Sequence, residues 1–223
     1  MEQSIINRLK NEYEYCFSRY LKEIADQYDE KLIPQKWVNT LELFTFGSYS
    51  HYLKYRDEYA DLDNDLTLKL LELTILSITN DFENCNISID DILNDHDYGL
   101  KEALKSYSSK ASNNKMDGDE LLFNKILIAM ADKKILDVLV DDETRSLYTG
   151  KPLILRDVYD SRTMNLRVLK ESDIPNRSLD TARIKLKSWL DNSISPLVPE
   201  LNSNKEESST KITRKRKQSE NLI

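Results

Sequence analysis

The sequence Leu41-Glu-Leu-Phe-Thr-Phe-Gly-Ser-Tyr-Ser-His-Tyr-Leu53 decides how the first part of the chain is organised. Gly47 is one of only four glycines in 223 residues, and it separates two runs of apolar and aromatic residues. A glycine just after a helix is typical of a left-handed C′ position, and a Ser that follows it can cap the next helix. We therefore predict a helix that ends at Phe46, a left-handed Gly47 and a second helix capped by Ser48. Helical repeats stack units of this kind.

The composition favours a mostly helical, intracellular protein. Hydrophobic residues make up 39% of the chain, whereas four Gly and five Pro leave few turns for a large sheet. Cys16 and Cys85 form no CxxC pair, so we expect both to be reduced residues of the core. No apolar run reaches 18 residues and the start of the sequence does not resemble a signal peptide, so we expect no membrane association.

The charge is unevenly distributed. The net charge is −7, and the last 23 residues hold six Lys or Arg and three Glu, which leaves −10 on residues 1–200. An acidic body argues against binding of a phosphate backbone. The basic cluster Arg214, Lys215, Arg216 and Lys217 is a candidate nuclear localisation signal, and the alternative is a solvated tail.

Segments on both sides of the opening stretch also have helical spacing. Apolar residues from Ile5 to Ile24 recur at steps of three and four, which predicts one long amphipathic helix over residues 2–28. The same spacing predicts helices over 37–46, 49–55 and 66–78.

The carboxylates before the last of these helices resemble a metal site. Asp61, Asp63, Asp65 and Glu72 copy the ligand spacing of an EF-hand calcium loop. That loop needs Gly at its sixth position, where this chain has Leu66. We therefore interpret Asp63 as an N-cap and the other carboxylates as charges near the start of a helix.

The second part of the chain changes from helices to β-prone runs. Helices are predicted over 100–107 and over 119–131, the latter capped by Asp119 and apolar almost all round, hence buried. A polar loop, 108–118, separates them, and a short extended segment with a capped helical turn over 87–93 precedes them. The β-prone runs 135–140 and 152–159 predict a hairpin whose loop is 141–151.

Together these segments predict a mostly α fold. Residues 1–84 form a helical-repeat bundle and residues 85–160 form a winged-helix subdomain with a small β-hairpin. Residues 161–195 hold a linker and a C-terminal helix that runs from Ser178 to about Asn192. Residues 196–223 form a disordered tail that contains the basic cluster.

This order of elements resembles a PCI domain, the scaffolding module of the proteasome lid, the COP9 signalosome and translation initiation factor 3. The local match is closer: 43–53 followed by 69–78 is similar to the signature of COP9 signalosome subunit 7. There, Phe-x-x-Gly-x-Tyr-x-x-Tyr precedes a Lys-Leu-x-x-Leu-[Thr/Ser]-[Ile/Val] helix. The resemblance covers about 38–192, and the Asn/Lys/Asp-rich divergence looks like that of a budding-yeast member. It implies that the signature residues are packing residues: Phe44, Phe46, Gly47, Tyr49 and Tyr52.

The resemblance implies a non-catalytic scaffold that supports removal of Nedd8 from the cullins of SCF-type ubiquitin ligases. Its partners would be the other PCI subunits and the metalloisopeptidase subunit and, indirectly, the cullin ligases, in the nucleus and cytoplasm. A scaffold subunit of the proteasome lid or of translation initiation factor 3 is the alternative in the same class. We take as candidate partner contacts Ile154 of the hairpin and Leu186, Trp189 and Leu190 of the last helix.

The residues themselves suggest no catalysis and no cofactor. The only histidines, His51 and His96, are 45 residues apart, unlike the close pair that a metalloisopeptidase site needs. No phosphate-binding glycine motif occurs. A winged-helix nucleic-acid-binding protein is the alternative of another class, but the candidate groove helix starts with Asp119 and Glu120, and the hairpin loop starts with three acidic residues. Such charges repel phosphates.

Overall fold

The computed structural model describes residues 2–26, 33–110, 118–174 and 178–195, and its described part is mostly helical, as predicted. Nine α-helices and a three-stranded antiparallel sheet make up most of the regular structure of this described part. The chain divides into two compact units, residues 1–178 and 179–223. In the first unit the helices are α1 Glu2–Leu9, α2 Ser18–Asp26, α3 Gln35–Phe46, α4 Tyr49–Lys54, α5 Asn64–Asp81, α6 Ile89–Asn94, α7 Leu100–Lys110 and α8 Asp119–Asp132.

The turn between α3 and α4 lies where the sequence predicts it, but Gly47 is not left-handed. Its φ is −88° and its ψ is −178°, which is extended backbone open to any residue. Gly is required instead by space, because a Cβ would lie 2.7 Å from Leu43 Cδ1 and 2.8 Å from the Leu43 carbonyl oxygen. Ser48 is the N-cap residue of α4, as predicted, and its N–H donates to His51 Nδ1 at 2.9 Å.

Helix α5 is 18 residues long and is buried on nearly all sides. Asp63 is its N-cap, as predicted, and accepts the N–H of Leu66 at 3.0 Å. Lys10 donates to both Asp63 and Asp65, so these carboxylates join the N-terminal segment to the start of α5.

The single helix predicted over 2–28 is wrong, because the chain leaves the helix after Leu9 and starts α2 at Ser18. The N-terminus of α2 is capped from far along the chain: Asp157 accepts from the N–H groups of Phe17 and Ser18 and from the Ser18 hydroxyl. Local periodicity cannot reveal a cap supplied 139 residues later. Cys16, predicted to be a core residue, is exposed beside this break, and Cys85 is exposed too.

The sheet consists of β1 Cys85–Ser88, β2 Val138–Asp141 and β3 Ser146–Thr149, in the order β1-β3-β2. The predicted hairpin partner 152–159 and the predicted loop 141–151 are therefore wrong. Strands β2 and β3 are joined by a tight turn, in which Asp141 accepts from the N–H groups of Glu143 and Thr144. The third strand, β1, comes from the short extended segment before α6.

Three predictions about α7 and α8 also need correction. Helix α7 continues to Lys110, so the predicted polar loop starts too early. Gly118, rather than Asp119, is the N-cap residue of α8. This helix is not buried all round, because two of its large apolar side chains, Leu121 and Ile128, face solvent.

The second unit contains α9 Leu179–Trp189, which follows Ser178 as predicted and continues in a π-helical turn over Leu190–Ile194. The basic cluster 214–217 lies outside the described residues.

Candidate protein-interaction surface

An apolar groove lies between α8 and the sheet, and we call it the α8–β2 groove. It encloses about 760 Å³ and is lined by both elements. Three large apolar side chains are exposed along it: Leu121 at 50%, Ile128 at 55% and Leu139 at 69%. Exposed apolar surface gathered in one concave place is typical of protein-binding sites.

The groove runs along an open edge of the sheet. Within the part of the chain that the structure describes, strand β2 pairs only with β3, and the N–H of Gly150 donates to the carbonyl of Asp137 at 2.7 Å in the same register. In an antiparallel ladder, hydrogen-bonded and non-hydrogen-bonded pairs alternate. Residues 137, 139 and 141 therefore bond to β3, whereas the backbone groups of Val138 and Val140 point away from the sheet into the groove. An edge of this kind can accept a further strand.

Charges surround the groove unevenly. The β2–β3 turn is acidic, and its three acidic residues, 141–143, are exposed. Hydrogen bonds from Thr144 lower the pKa of the Asp141 carboxyl. In the same turn, Arg145 donates to Glu120 of α8 and to Asp90 of α6, which holds the turn against both helices. Within the groove, Asn124 Oδ1 is buried without a hydrogen-bond partner among the described residues.

The run predicted as a second hairpin strand forms instead an extended strap, residues 152–159, over α3 and α5. Arg156 is only 6% exposed. Its guanidinium donates to the carbonyls of Phe44 at 2.6 Å and of Thr45 and Gly47 at 2.9 Å, which caps the C-terminus of α3. The next residue, Asp157, caps the N-terminus of α2. The positive Arg156 thus faces a helix C-terminus and the negative Asp157 faces a helix N-terminus, and the helix dipole favours both arrangements.

The candidate contact Ile154 lies in this strap and is half-buried against the core. Its neighbours Leu153 and Leu155 are more exposed. Sequence reasoning missed the strap because its apolar residues make the run β-prone, as in a strand. The available signal was the charged Arg156-Asp157 pair within that run, which a strand at a protein core would not accommodate without partners.

The chain after the strap is held to α3 and to the C-terminal end of α4 by polar contacts. Glu42 accepts the backbone N–H groups of Arg167, Val168 and Leu169, the last two at 3.0 Å. Burial raises the pKa of the Glu42 carboxyl, and these three donors oppose the rise. Asp173 binds Lys54 and the Tyr55 hydroxyl of α4, and the Lys54 contact helps to lower its pKa against the opposing effect of burial.

The signature residues Phe44, Phe46, Tyr49 and Tyr52 are all buried. The ring of Phe46 meets that of Tyr159 edge-on, with centroids 5.7 Å apart, and the rings of Tyr49 and Tyr52 lie 5.6 Å apart. These residues join α3, α4 and the end of the strap.

Both histidines line one polar cavity of about 460 Å³, although they are far apart in sequence. The His51 ring is already engaged by the Ser48 N–H and by the Asp173 carbonyl oxygen, 3.0 Å from Nε2. Among the described residues, no group of three or more His, Cys, Asp or Glu side chains is placed to hold a metal ion.

The remaining candidate contacts lie on α9 and at the start of the π-helical turn after it, where Leu186, Trp189 and Leu190 are exposed. No helix among the described residues is sufficiently long and apolar to cross a membrane.

Comparison with known proteins found no matching family model and no matching curated protein. Proposals about function therefore depend on the residues and the geometry.

Proposed function

We propose that this chain is a non-catalytic scaffold subunit of the COP9 signalosome, built as a PCI domain with a winged-helix subdomain. In this role it supports removal of Nedd8 from cullins by holding other subunits, among them the metalloisopeptidase. The sequence resemblance of 43–53 and 69–78 supports the choice of complex. The order of β1, the helices α6–α8 and the β2–β3 hairpin supports the winged-helix assignment.

The observation that carries the scaffold role is the open edge of β2 inside the α8–β2 groove. A strand from a partner can bond to Val138 and Val140 while its side chains cover Leu121 and Ile128. A scaffold subunit of the proteasome lid or of translation initiation factor 3 would use the same kind of surface. A nucleic-acid partner is disfavoured, because the exposed acidic turn at 141–143 borders the groove.

A proline substitution tests the edge directly. Val140→Pro removes an outward N–H that β3 does not use, and edge strands tolerate proline. We expect the full-length variant to fold but to lose at least about tenfold in affinity for its partner, since a hydrogen bond is lost and the ring obstructs pairing. Val140→Ala is the matched control, because it removes the same side-chain packing and keeps the N–H. Partner binding of Val140→Pro equal to that of Val140→Ala would refute edge pairing.

Leu139→Pro provides the opposite control. Its N–H points towards β3, so this substitution should weaken the sheet itself and lower the thermal midpoint. Similar thermal midpoints for Leu139→Pro and Val140→Pro would refute the assignment of the Leu139 N–H to the bond with β3 and of the Val140 N–H to the open edge.

The choice of complex is tested by purification of the tagged chain and mass spectrometry. We expect the metalloisopeptidase and the PCI subunits of the signalosome, and we expect neddylated cullin to accumulate when the chain is deleted. Recovery of lid or initiation-factor subunits without the metalloisopeptidase would replace the first proposal with its alternative.

The basic cluster supports a proposal of nuclear and cytoplasmic localisation. Replacement of Arg214, Lys215, Arg216 and Lys217 by Ala should move a fluorescent fusion towards the cytoplasm. An unchanged distribution would leave the cluster as a solvated tail.

A further inference from the structure

The apolar surface at the open edge of β2 lies on both faces of the sheet. The side chains of Val138 and Val140 are partly buried on the core side, where Leu121 and Ile128 of α8 are exposed. Successive side chains of a strand point to opposite faces, so Leu139 lies on the other side of the sheet, and it is 69% exposed. A strand that pairs with β2 therefore meets apolar side chains on both of its faces.

One end of the α8–β2 groove is acidic. Helix α8 and β2 run in opposite directions, because α8 ends shortly before β2 begins and Glu120, in its first turn, pairs with Arg145 just after β2. At this end, Asp142 lines the groove, and Asp142 and Glu143 form no ion pair with other described side chains. Lys125, the cation that also lines the groove, already has an interaction of its own. A partner that fills the groove must therefore pass two unpaired carboxylates beside the C-terminal end of β2.

The existing sheet favours a new strand that runs antiparallel to β2. Both of its pairings are antiparallel, and antiparallel pairs are slightly more stable per residue than parallel ones. The partner residues opposite Val138 and Val140 then exchange hydrogen bonds with them, and their side chains face α8. The residue between these two lies beside Leu139 on the other face. The residue that precedes the three in the partner lies opposite Asp141, next to the acidic turn.

A second copy of the chain fits this edge poorly. In the antiparallel register that uses both outward residues of each strand, Val138 of one copy lies opposite Val140 of the other. Asp137 of one copy then lies opposite Asp141 of the other, and like charges directly opposite are destabilising. The β2 strand thus presents an aspartate at the position where the acidic end of the groove favours a cation.

We propose that the α8–β2 groove binds an extended segment of a different protein, in which Lys or Arg precedes three consecutive apolar residues. The apolar residues cover Leu121, Ile128 and Leu139, and the basic residues pair with Asp142 and Glu143. The charge at one end of the groove also fixes the direction of the segment. This inference rests on the proposed scaffold role, since it names the segment that the open edge accepts. It does not depend on which complex holds the chain.

Two labelled peptides of identical composition test this proposal with the full-length chain. Both have blocked ends and a Val-Leu-Val run, but one has two Lys before the run and the other has them after it. We expect the peptide with Lys first to bind roughly fivefold more tightly at low salt, as the combined effect of two surface ion pairs. This preference should shrink at high salt. Binding is measured by fluorescence anisotropy, and the equal composition cancels the general attraction of Lys to an acidic protein.

Variants of the chain locate the peptide. The Asp142→Lys, Glu143→Lys double variant should reverse the preference, because the peptide with Lys first then meets like charges. The matched control is the Asp57→Lys, Glu58→Lys double variant, which makes the same charge change at two exposed neighbouring residues outside the groove and should leave the preference in place. Val140→Pro should weaken both peptides at least about tenfold, since both use the open edge. The four charged positions are exposed, so circular dichroism of both double variants should be unchanged.

Equal binding of the two peptides, or no binding of either, would overturn the proposal. A preference that survives charge reversal at 142 and 143 would overturn it as well, and tighter binding of the peptide with Lys last would show that the segment runs parallel to β2. A dimer in sedimentation that Val140→Pro dissociates would assign the edge to a second copy instead. If Val140→Pro abolishes binding of the natural partner while the peptides show no preference, the scaffold role stands and only this inference fails.

Discussion

Removal of the Arg156 guanidinium should be among the most destabilising single substitutions in the first unit. The last carbonyls of a helix have no donor within it. In α3, the carbonyls of Phe44 and Thr45, and that of Gly47 beyond the helix, are satisfied by this one side chain. Arg156→Ala leaves these acceptors without the donor and also removes a positive charge from the helix C-terminus.

The expected cost follows from those three carbonyls. A buried acceptor without a partner costs about 1–3 kcal/mol. Water that enters the vacated space recovers part of this cost, so we expect a loss of roughly 3–5 kcal/mol, similar to the breaking of a buried charge network. That is a large share of a typical unfolding free energy of about 5–15 kcal/mol. Arg156→Lys keeps the charge but not the planar fork, so its loss should be intermediate.

The assay is urea unfolding of the full-length chain at neutral pH, followed by far-ultraviolet circular dichroism. Arg162→Ala is the matched control, because Arg162 is exposed and its guanidinium bonds to the nearby Asp160. We expect the control to lie within about 0.5 kcal/mol of the wild type. If Arg156→Ala and Arg162→Ala have equal unfolding free energies and equal m-values, Arg156 does not cap α3 as described.

Three further predictions concern single positions. Gly47→Ala should cost about 1–3 kcal/mol in urea unfolding, because its Cβ would overlap Leu43, and a neutral result would refute the steric requirement. Asp157→Ala should cost about 1–2 kcal/mol and expose the start of α2 to hydrogen exchange, whereas unchanged amide protection at Phe17 and Ser18 would contradict the capping. Burial lowers the pKa of Lys69 to about 8 in the folded chain, whereas its pKa in the unfolded chain is about 10.4. Between these two pH values the unfolded state therefore binds more protons than the folded state. The unfolding free energy should consequently increase from pH 8 towards pH 10. Lys69→Met should lack this increase, and parallel curves for the two proteins would show that Lys69 is not the group responsible.

The parts of the fold that the sequence predicts correctly depend on neighbouring residues. Helix α3 follows Pro34 and has dense apolar spacing, and Asp63 and Ser88 cap α5 and α6 with their own side chains. In each case the decisive group lies within four residues of the backbone that it satisfies. Such signals are visible in a sequence window.

The parts that it misses depend on distant residues. Asp157 starts α2, and Arg156 ends α3, from more than 100 residues further along the chain. Neither contact has a local signature, so the run 152–159 resembles a strand and the run 2–28 resembles one helix. The open edge of β2 was missed for the same reason. Strand β3 lies between β2 and β1, and β1 comes from a segment about 60 residues earlier, so local sequence does not show that β2 is at the edge of the sheet.

The apolar character of α8 shows why burial cannot be read from composition alone. A helix that is apolar all round is either surrounded by its own chain or partly covered by another molecule. Phe123 and Leu127 of α8 are buried in the first unit, whereas Leu121 and Ile128 face the groove. The sequence could place these four residues on a helix but could not assign them to two different neighbours.

The distribution of charged and apolar side chains agrees with a protein that is completed by partners. Glu42, Lys69, Glu72 and Arg156 are all buried, and each makes specific contacts. Glu42 and Arg156 bind backbone groups, whereas Glu72 accepts the Tyr15 hydroxyl and lies 3.9 Å from Lys69. Large apolar residues are exposed in the α8–β2 groove and on α9 instead. Burial of charge costs free energy that only well-formed hydrogen bonds offset, and exposure of apolar surface forgoes a stabilisation of about 25 cal/mol per Å². The chain therefore gains stability from any partner that covers these surfaces, and its thermal midpoint should increase with the concentration of that partner. A midpoint independent of partner concentration would mean that the groove and the apolar residues of α9 stay uncovered in the complex.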